Sequence, residues 1–76
     1  MKDLSYRIIL KPEPEGGFTV TVPGLPGCVT YGESLEEARV MADDAIKAYL
    51  QSMEKHGEAI VDDAGTFESQ LIVHYA

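Results

Sequence analysis

One stretch of the sequence has the apolar spacing of an α-helix, and it limits what the rest of the chain can build. Between Ser34 and Gly57, apolar residues recur three and four positions apart, the period of a helix with one buried face. They are Leu35, Ala38, Met41 or Ala42, Ala45, Ile46, Tyr49, Leu50 and Met53. Ser34 and Glu37 fit a capping box, in which the Ser34 hydroxyl accepts from the Glu37 amide and the Glu37 carboxylate from the Ser34 amide. Because Gly57 suits the C′ position, the sequence predicts one long helix that ends there.

The other patterned segments alternate between apolar and polar residues, as half-buried strands do. These segments are residues 4–11, 18–22, 28–32 and 69–75. Loops rich in proline and glycine separate the first three, which should form an antiparallel meander. Because a helix precedes the last segment, we expect this fourth strand to return by a right-handed crossover and to lie parallel to a strand of the meander. The predicted fold is α+β, in the order βββαβ, as a single domain over residues 1–76.

The predicted helix covers one face of this sheet and leaves the other face exposed. Ile9, Ile72 and Val29 or Tyr31 would form an apolar strip on that second face. A chain of 76 residues buries only a thin core, and this one has no disulfide to strengthen it. We therefore expect the strip to be a dimer surface, in a homodimer or homotetramer.

The charge balance disfavours direct binding to nucleic acid. Thirteen acidic residues against six Lys and Arg give a net charge of −7 at pH 7. That field repels a phosphate backbone and attracts a basic protein, although an acidic surface also serves solubility alone. The single cysteine forms no internal disulfide, and the sequence has neither an apolar leader nor the run of roughly 18 apolar residues that a membrane span needs. We expect a soluble cytoplasmic protein.

Residues with catalytic chemistry occur, but their positions favour structural roles. Cys28 with His56 or His74 as its base would be a nucleophile, yet a cysteine that begins a short strand is usually a small buried hydrophobe. A two-metal nuclease needs carboxylates that project from the sheet, and the predicted strands have none in mid-run. The histidines and the cysteine lack zinc-ligand spacing, and residues 23–27 lack the lysine and the following helix of a phosphate-binding loop. We therefore expect no enzymatic activity, no metal and no cofactor.

The predicted helix carries the residues that we expect to bind a partner. Glu36 and Asp43 lie seven positions apart, as do Glu37 and Asp44, so each pair lies on one solvent-facing stripe. Together with Glu33 they form an acidic face that a basic protein would recognise. The alternative is a solvated face whose acidic first turn suits the helix dipole and needs no partner.

From Phe18 onward the sequence FTVTVPGLPGCVTYGESLEEARVMADDAIKAYL resembles the signature of HicB-like proteins. The matching positions are Pro23, Leu25, Pro26, Gly27, Cys28, Thr30, Gly32, Glu33, Ser34, Glu36, Glu37 and Ala38. Residues 15–17 and 57–60 also fit, so the resemblance covers residues 4–61. Two positions depart from the pattern, because Gly24 stands where the family usually has Asp and Val61 where Pro is common.

The resemblance implies a partial ribonuclease H-like fold and the role of an antitoxin in a prokaryotic toxin–antitoxin system. The implied partner is HicA, a small basic toxin that cleaves messenger RNA, and we expect this chain to neutralise it by masking it. Many HicB antitoxins continue into a DNA-binding domain, for which this sequence has no room, so we do not expect operator repression by this chain alone. The alternative is an orphan oligomeric HicB-like protein that binds another partner or a small ligand. A metal-dependent nuclease is the third hypothesis.

Overall fold

The structure, a computed structural model, describes residues 3–76. Its elements follow the order β1 (Ile9–Pro12), β2 (Phe18–Thr21), β3 (Val29–Gly32) and α1 (Leu35–Lys55). The three strands form one antiparallel sheet in the order β1-β2-β3, and α1 packs on β3 and β2. The α+β class, the meander and the single helix on one face are therefore confirmed.

The helix lies close to the sheet because small residues meet at the contact. Val20 of β2 is completely buried against Ala38 and Ala42, which are the buried residues of α1. Gly32 of β3 lies against Ala38, and a Cβ atom at Gly32 would collide with the Ala38 backbone. The sheet and the helix therefore interlock through residues that have little or no side chain.

A second buried cluster lies where the chain turns from β2 to β3. Val22, Leu25 and Cys28 form it, and the helix residues Ile46, Tyr49 and Met53 pack against them. The Leu25 N–H donates to the Val22 carbonyl at 3.0 Å, and the Cys28 N–H donates to the Leu25 carbonyl at 2.9 Å. This proline- and glycine-rich segment is thus a rigid corner held by the buried Leu25.

Both helix ends are capped, with one difference from the prediction. The Glu37 N–H donates to Ser34 Oγ at 3.1 Å, but the Glu37 carboxylate accepts from the Glu33 N–H at 2.5 Å and not from the Ser34 amide. The Glu37 carboxylate therefore binds the amide of Glu33, one residue before the predicted partner Ser34. At the other end Gly57 has φ +70°, and the Glu58 N–H donates to the Met53 carbonyl at 2.9 Å, which is the Schellman arrangement.

The predicted fourth strand is not confirmed. Residues 58–76 are all described, and none of them is in a strand. The base of this segment is held beside the start of the chain: the Ser5 carbonyl accepts from the Asp63 N–H at 2.8 Å, and the Arg7 N–H donates to Asp63 Oδ2 at 2.8 Å. Beyond it the chain has no neighbouring strand to satisfy its backbone groups, so alternation alone produces no strand. The described sheet has three strands, so the predicted ribonuclease H-like fold with its fourth parallel strand is not shown.

Candidate protein-binding surface

The five acidic residues predicted for partner binding are all exposed to solvent. Glu36, Glu37, Asp43 and Asp44 belong to α1, and Glu33 precedes its N-cap. Their positions along the helix place them on the side opposite Ala38 and Ala42, which face the sheet. We call these five residues the acidic face.

The carboxylates of the acidic face differ in how strongly they are engaged. Glu37 serves the helix cap, and Asp43 forms an i,i+4 ion pair with Lys47 at 2.9 Å. The hydrogen bond that the Lys47 amine donates to the Asp43 carboxylate raises the pKa of this amine. Glu36 and Asp44 form no hydrogen bond or ion pair with the part of the chain that the structure describes. These two carboxylates are available to a cationic partner.

An apolar side chain that the sequence reasoning missed lies within the acidic face. Val40 is 59% exposed, four positions after Glu36 and three before Asp43. The neighbouring Met41 is 39% exposed, although the sequence offered it as a member of the buried stripe. The sequence alone could have indicated this exposure, because Val40 lies outside the apolar stripe that predicts the helix. An apolar centre with a charged rim is the usual composition of a protein-binding surface.

The open face of the sheet carries a second exposed apolar patch. The register places Ile9, Thr21 and Val29 in one row across the three strands, and Ile9 and Val29 are more than half exposed. Tyr31 is also exposed, and its hydroxyl donates to the Gly16 carbonyl at 2.9 Å. The predicted strip is thus confirmed as exposed at the three strand positions, whereas the fourth member, Ile72, lies outside the sheet.

The negative field of the chain extends from the helix to the β3 side of the sheet. The pKa of the Tyr31 hydroxyl is raised by local desolvation and then by the nearby carboxylates of Glu33, Glu37, Glu13 and Glu15. Two of these four residues belong to the acidic face. Carboxylates of the acidic face and of the loop between β1 and β2 thus both lie near the Tyr31 hydroxyl.

Two of the three residues considered for catalysis occupy structural positions. Cys28 is 6% exposed, and burial raises the pKa of its thiol, which disfavours the nucleophilic thiolate. His56 is the C-cap residue of α1, with its Nδ1 2.7 Å from the Ser52 carbonyl oxygen. His74 is exposed in the C-terminal segment. This arrangement favours structural roles for Cys28 and His56, whereas His74 is not on the strand face where the sequence placed it.

Residues 3–76 contain no group of three or more His, Cys, Asp or Glu side chains placed to hold a metal ion. The helix α1 is also not apolar enough over its length to cross a membrane.

Comparison with known proteins gives consistent matches. Residues 6–72 match the model of a family described as the HicB-like antitoxin of bacterial toxin–antitoxin systems. A UPF0150 protein of Thermoplasma acidophilum is 40% identical over 60 residues, which cover 79% of this chain and 87% of the relative. Antitoxin HicB 1 of Photorhabdus laumondii is 37% identical over 59 residues, covering 72% of this chain and 38% of the antitoxin. Antitoxin HicB of Escherichia coli K12 is 40% identical over 43 residues, covering 57% of this chain and 31% of the antitoxin. The chain thus spans about a third of each named antitoxin.

Proposed function

The chain belongs to the HicB-like antitoxin family of bacterial toxin–antitoxin systems, and on this premise we propose that it binds and neutralises a small basic toxin protein. The proposed partner is a HicA-type toxin that cleaves messenger RNA. The proposed role is inhibition by masking in the cytoplasm, without catalysis by this chain. The supporting observation is the acidic face, which has unengaged carboxylates at Glu36 and Asp44 and the exposed Val40 between them.

Masking follows from the chemistry of the two surfaces. A protein that cleaves RNA holds the phosphate backbone with Lys and Arg side chains. Carboxylates compete for the same cations, and the net charge of −7 speeds the encounter with a basic partner. In the proposed complex Glu36 and Asp44 pair with toxin cations, and Val40 fills the dry centre of the contact. The toxin surface that binds RNA is then covered.

The test measures binding to a small basic HicA-type protein, which is first sought among the products of the neighbouring genes. We expect the double substitution Glu36→Gln/Asp44→Gln to weaken binding about tenfold, or roughly 1.4 kcal/mol, because two rim charges are lost. The matched control is Glu54→Gln/Glu58→Gln, which also removes two exposed charges but lies at the far end of the helix. Isothermal titration calorimetry at two salt concentrations gives the affinities, and an RNA cleavage assay reports the masking.

The outcomes of this experiment separate the hypotheses. An equal loss of affinity in both double variants would mean that the net charge of the chain, and not the acidic face, attracts the toxin. Unchanged affinity in both would contradict the proposed surface. Cleavage of RNA by this chain with Mg²⁺, abolished by a single carboxylate substitution, would instead support a nuclease.

A second candidate function has its own supporting observation. The exposed row of Ile9, Thr21 and Val29 favours an oligomeric protein that binds another partner or a small ligand. This candidate gains support if no neighbouring gene encodes a basic protein and the purified chain assembles into homodimers or homotetramers. The two candidates are compatible, since an antitoxin can itself be an oligomer.

A further inference from the structure

The end of the chain exposes more apolar side chain than a packed domain does. Phe67, Leu71, Ile72, Val73 and Tyr75 are between 75% and 98% exposed. The radius of gyration is 14.5 Å, whereas a compact domain of this length has about 11 Å. Residues 69–75 thus project from the domain as an unpacked apolar arm. In water such a segment is stabilised by covering its side chains.

The outer edge of β1 offers unpaired backbone groups to a strand. The Glu13 N–H donates to the Gly17 carbonyl at 3.0 Å, which places the hydrogen-bonded pairs of this ladder at odd positions of β1. Since backbone groups alternate in direction, those of Ile8 and Leu10 point away from β2. Neither has a backbone hydrogen-bond partner at that edge among residues 3–76. The edge can accept a further strand.

A groove lined by apolar and charged side chains follows the same edge on the helix side of the sheet. The helix packs on β3 and β2, so β1 is left at its margin. Leu4, Tyr6 and Ile8 form one wall of the groove, and the α1 residues of the other wall are Arg39, Ala42, Asp43 and Ile46. A strand added to β1 would direct every second side chain into this groove. The arm has the matching pattern, because Leu71 and Val73 alternate with Ile72 and His74.

We propose that residues 69–75 of one copy of this chain add as a strand to the outer edge of β1 in a second copy, with Leu71 and Val73 in the groove between β1 and α1. The arrangement is reciprocal, so two copies exchange their arms and each sheet gains a fourth strand. Ile72 then lies on the open face, near Ile9 of the other copy. The proposal concerns self-assembly and does not depend on toxin binding.

The base of the arm favours exchange over closure within one copy. The Asp63 N–H donates to the Ser5 carbonyl, and the Arg7 N–H donates to the Asp63 carboxylate. Ser5 and Arg7 are odd positions of the first segment, so their backbone groups face the β2 side. The free edge lies on the opposite side of β1. An arm that closed its own edge would have to cross β1, and crossing connections are rare. A second copy presents the same edge without that crossing.

The first test is the mass of the protein in solution. Sedimentation equilibrium at micromolar concentration is expected to give twice the mass of one chain. The substitution Leu71→Asp/Val73→Asp buries two charges in the groove and should weaken the dimer at least about a hundredfold. The matched control Gln70→Asp/His74→Asp adds two carboxylates to the opposite face of the arm, and it should remain dimeric. A monomeric parent protein, or a dimer that persists in Leu71→Asp/Val73→Asp, would overturn the proposal.

The second test locates the arm by cross-linking. In a Cys28→Ala background, Ile9→Cys and Ile72→Cys proteins with different tags are mixed and treated with a short bismaleimide linker. Linked pairs of Ile9→Cys with Ile72→Cys are expected to exceed those of Gln51→Cys with Ile72→Cys several-fold. Two outcomes contradict the exchange: linkage only between two Ile72→Cys chains, which means that arms pair with each other, or linkage within a single chain carrying both cysteines. Neither test reads toxin affinity, so the two proposals fail separately.

Discussion

The strand β2 and the segment 69–75 have sequences of the same kind but different structures. Both alternate apolar residues with others, yet Val20 of β2 is fully buried and Val73 is 75% exposed. β2 has a strand on each side and a helix above it, whereas no strand lies beside residues 69–75 within the described chain. Alternation thus determines which side chains share a face, and a neighbouring strand determines whether the segment becomes a strand.

The difference between the packed region and the exposed end of the chain is tested most strongly at the contact between β3 and α1. Gly32→Ala places a Cβ atom against the Ala38 backbone, where neither element can move without disturbing the core. We expect a loss of about 3 kcal/mol in the free energy of unfolding, measured by urea denaturation. Gly65→Ala is the control, because its Cβ would meet nothing within 4 Å, and it should change stability by less than about 0.5 kcal/mol. Equal effects at both sites would break the distinction between the packed region and the exposed segment that follows Asp63.

A matched pair of valines gives the next largest effect. Val20→Ala leaves a cavity between β2 and α1 and is expected to cost about 2–3 kcal/mol. Val73→Ala should cost less than about 0.5 kcal/mol in dilute protein, where the arm is free in water. The effect of Val73→Ala should grow as the protein concentration rises, if the arm is buried in a second copy. Thermal denaturation at several protein concentrations measures the effects of both substitutions. A large loss of stability in dilute Val73→Ala protein would contradict the exposed position of Val73.

Local signals account for the parts of the fold that the sequence predicted well. The helix begins after Ser34 and ends near Gly57 because capping depends on residues within one turn of each end. The meander follows from two short loops whose prolines and glycines permit few other paths. The acidic face was likewise predictable, since seven-residue spacing places side chains on one side of any helix. Whether that face binds a toxin remains a prediction.

The missed features depend on residues that are far apart in the chain. Asp62 and Asp63 bind the backbone of Ser5 and Arg7, more than fifty positions earlier, and no local pattern indicates this pairing. The pairing places the base of the arm on the β2 side of β1, so the fourth strand did not form as predicted. The family resemblance covered this region only as far as Val61. Sequence reasoning therefore predicted the elements but not the position of the last segment.

The smallest expected effect tests the boundary between the packed region and the arm. Asp63 is 10% exposed at its side chain, accepts from the Arg7 N–H at 2.8 Å and lies 3.6 Å from Arg7 Nε. Asp63→Asn keeps the shape but removes the charge beside this guanidinium, so we expect a loss of about 1–2 kcal/mol in the free energy of unfolding. Glu68→Gln is the control, since Glu68 is mostly exposed and 4.0 Å from Arg7 Nη1, and it should be nearly neutral. Amide hydrogen exchange should accelerate at residues 61–64 in Asp63→Asn while that of β2 is unchanged. Faster exchange throughout β2 would mean that the packed region extends to Asp63. Unchanged exchange at residues 61–64 would mean that the chain leaves the packed region before the hydrogen bonds of Asp63.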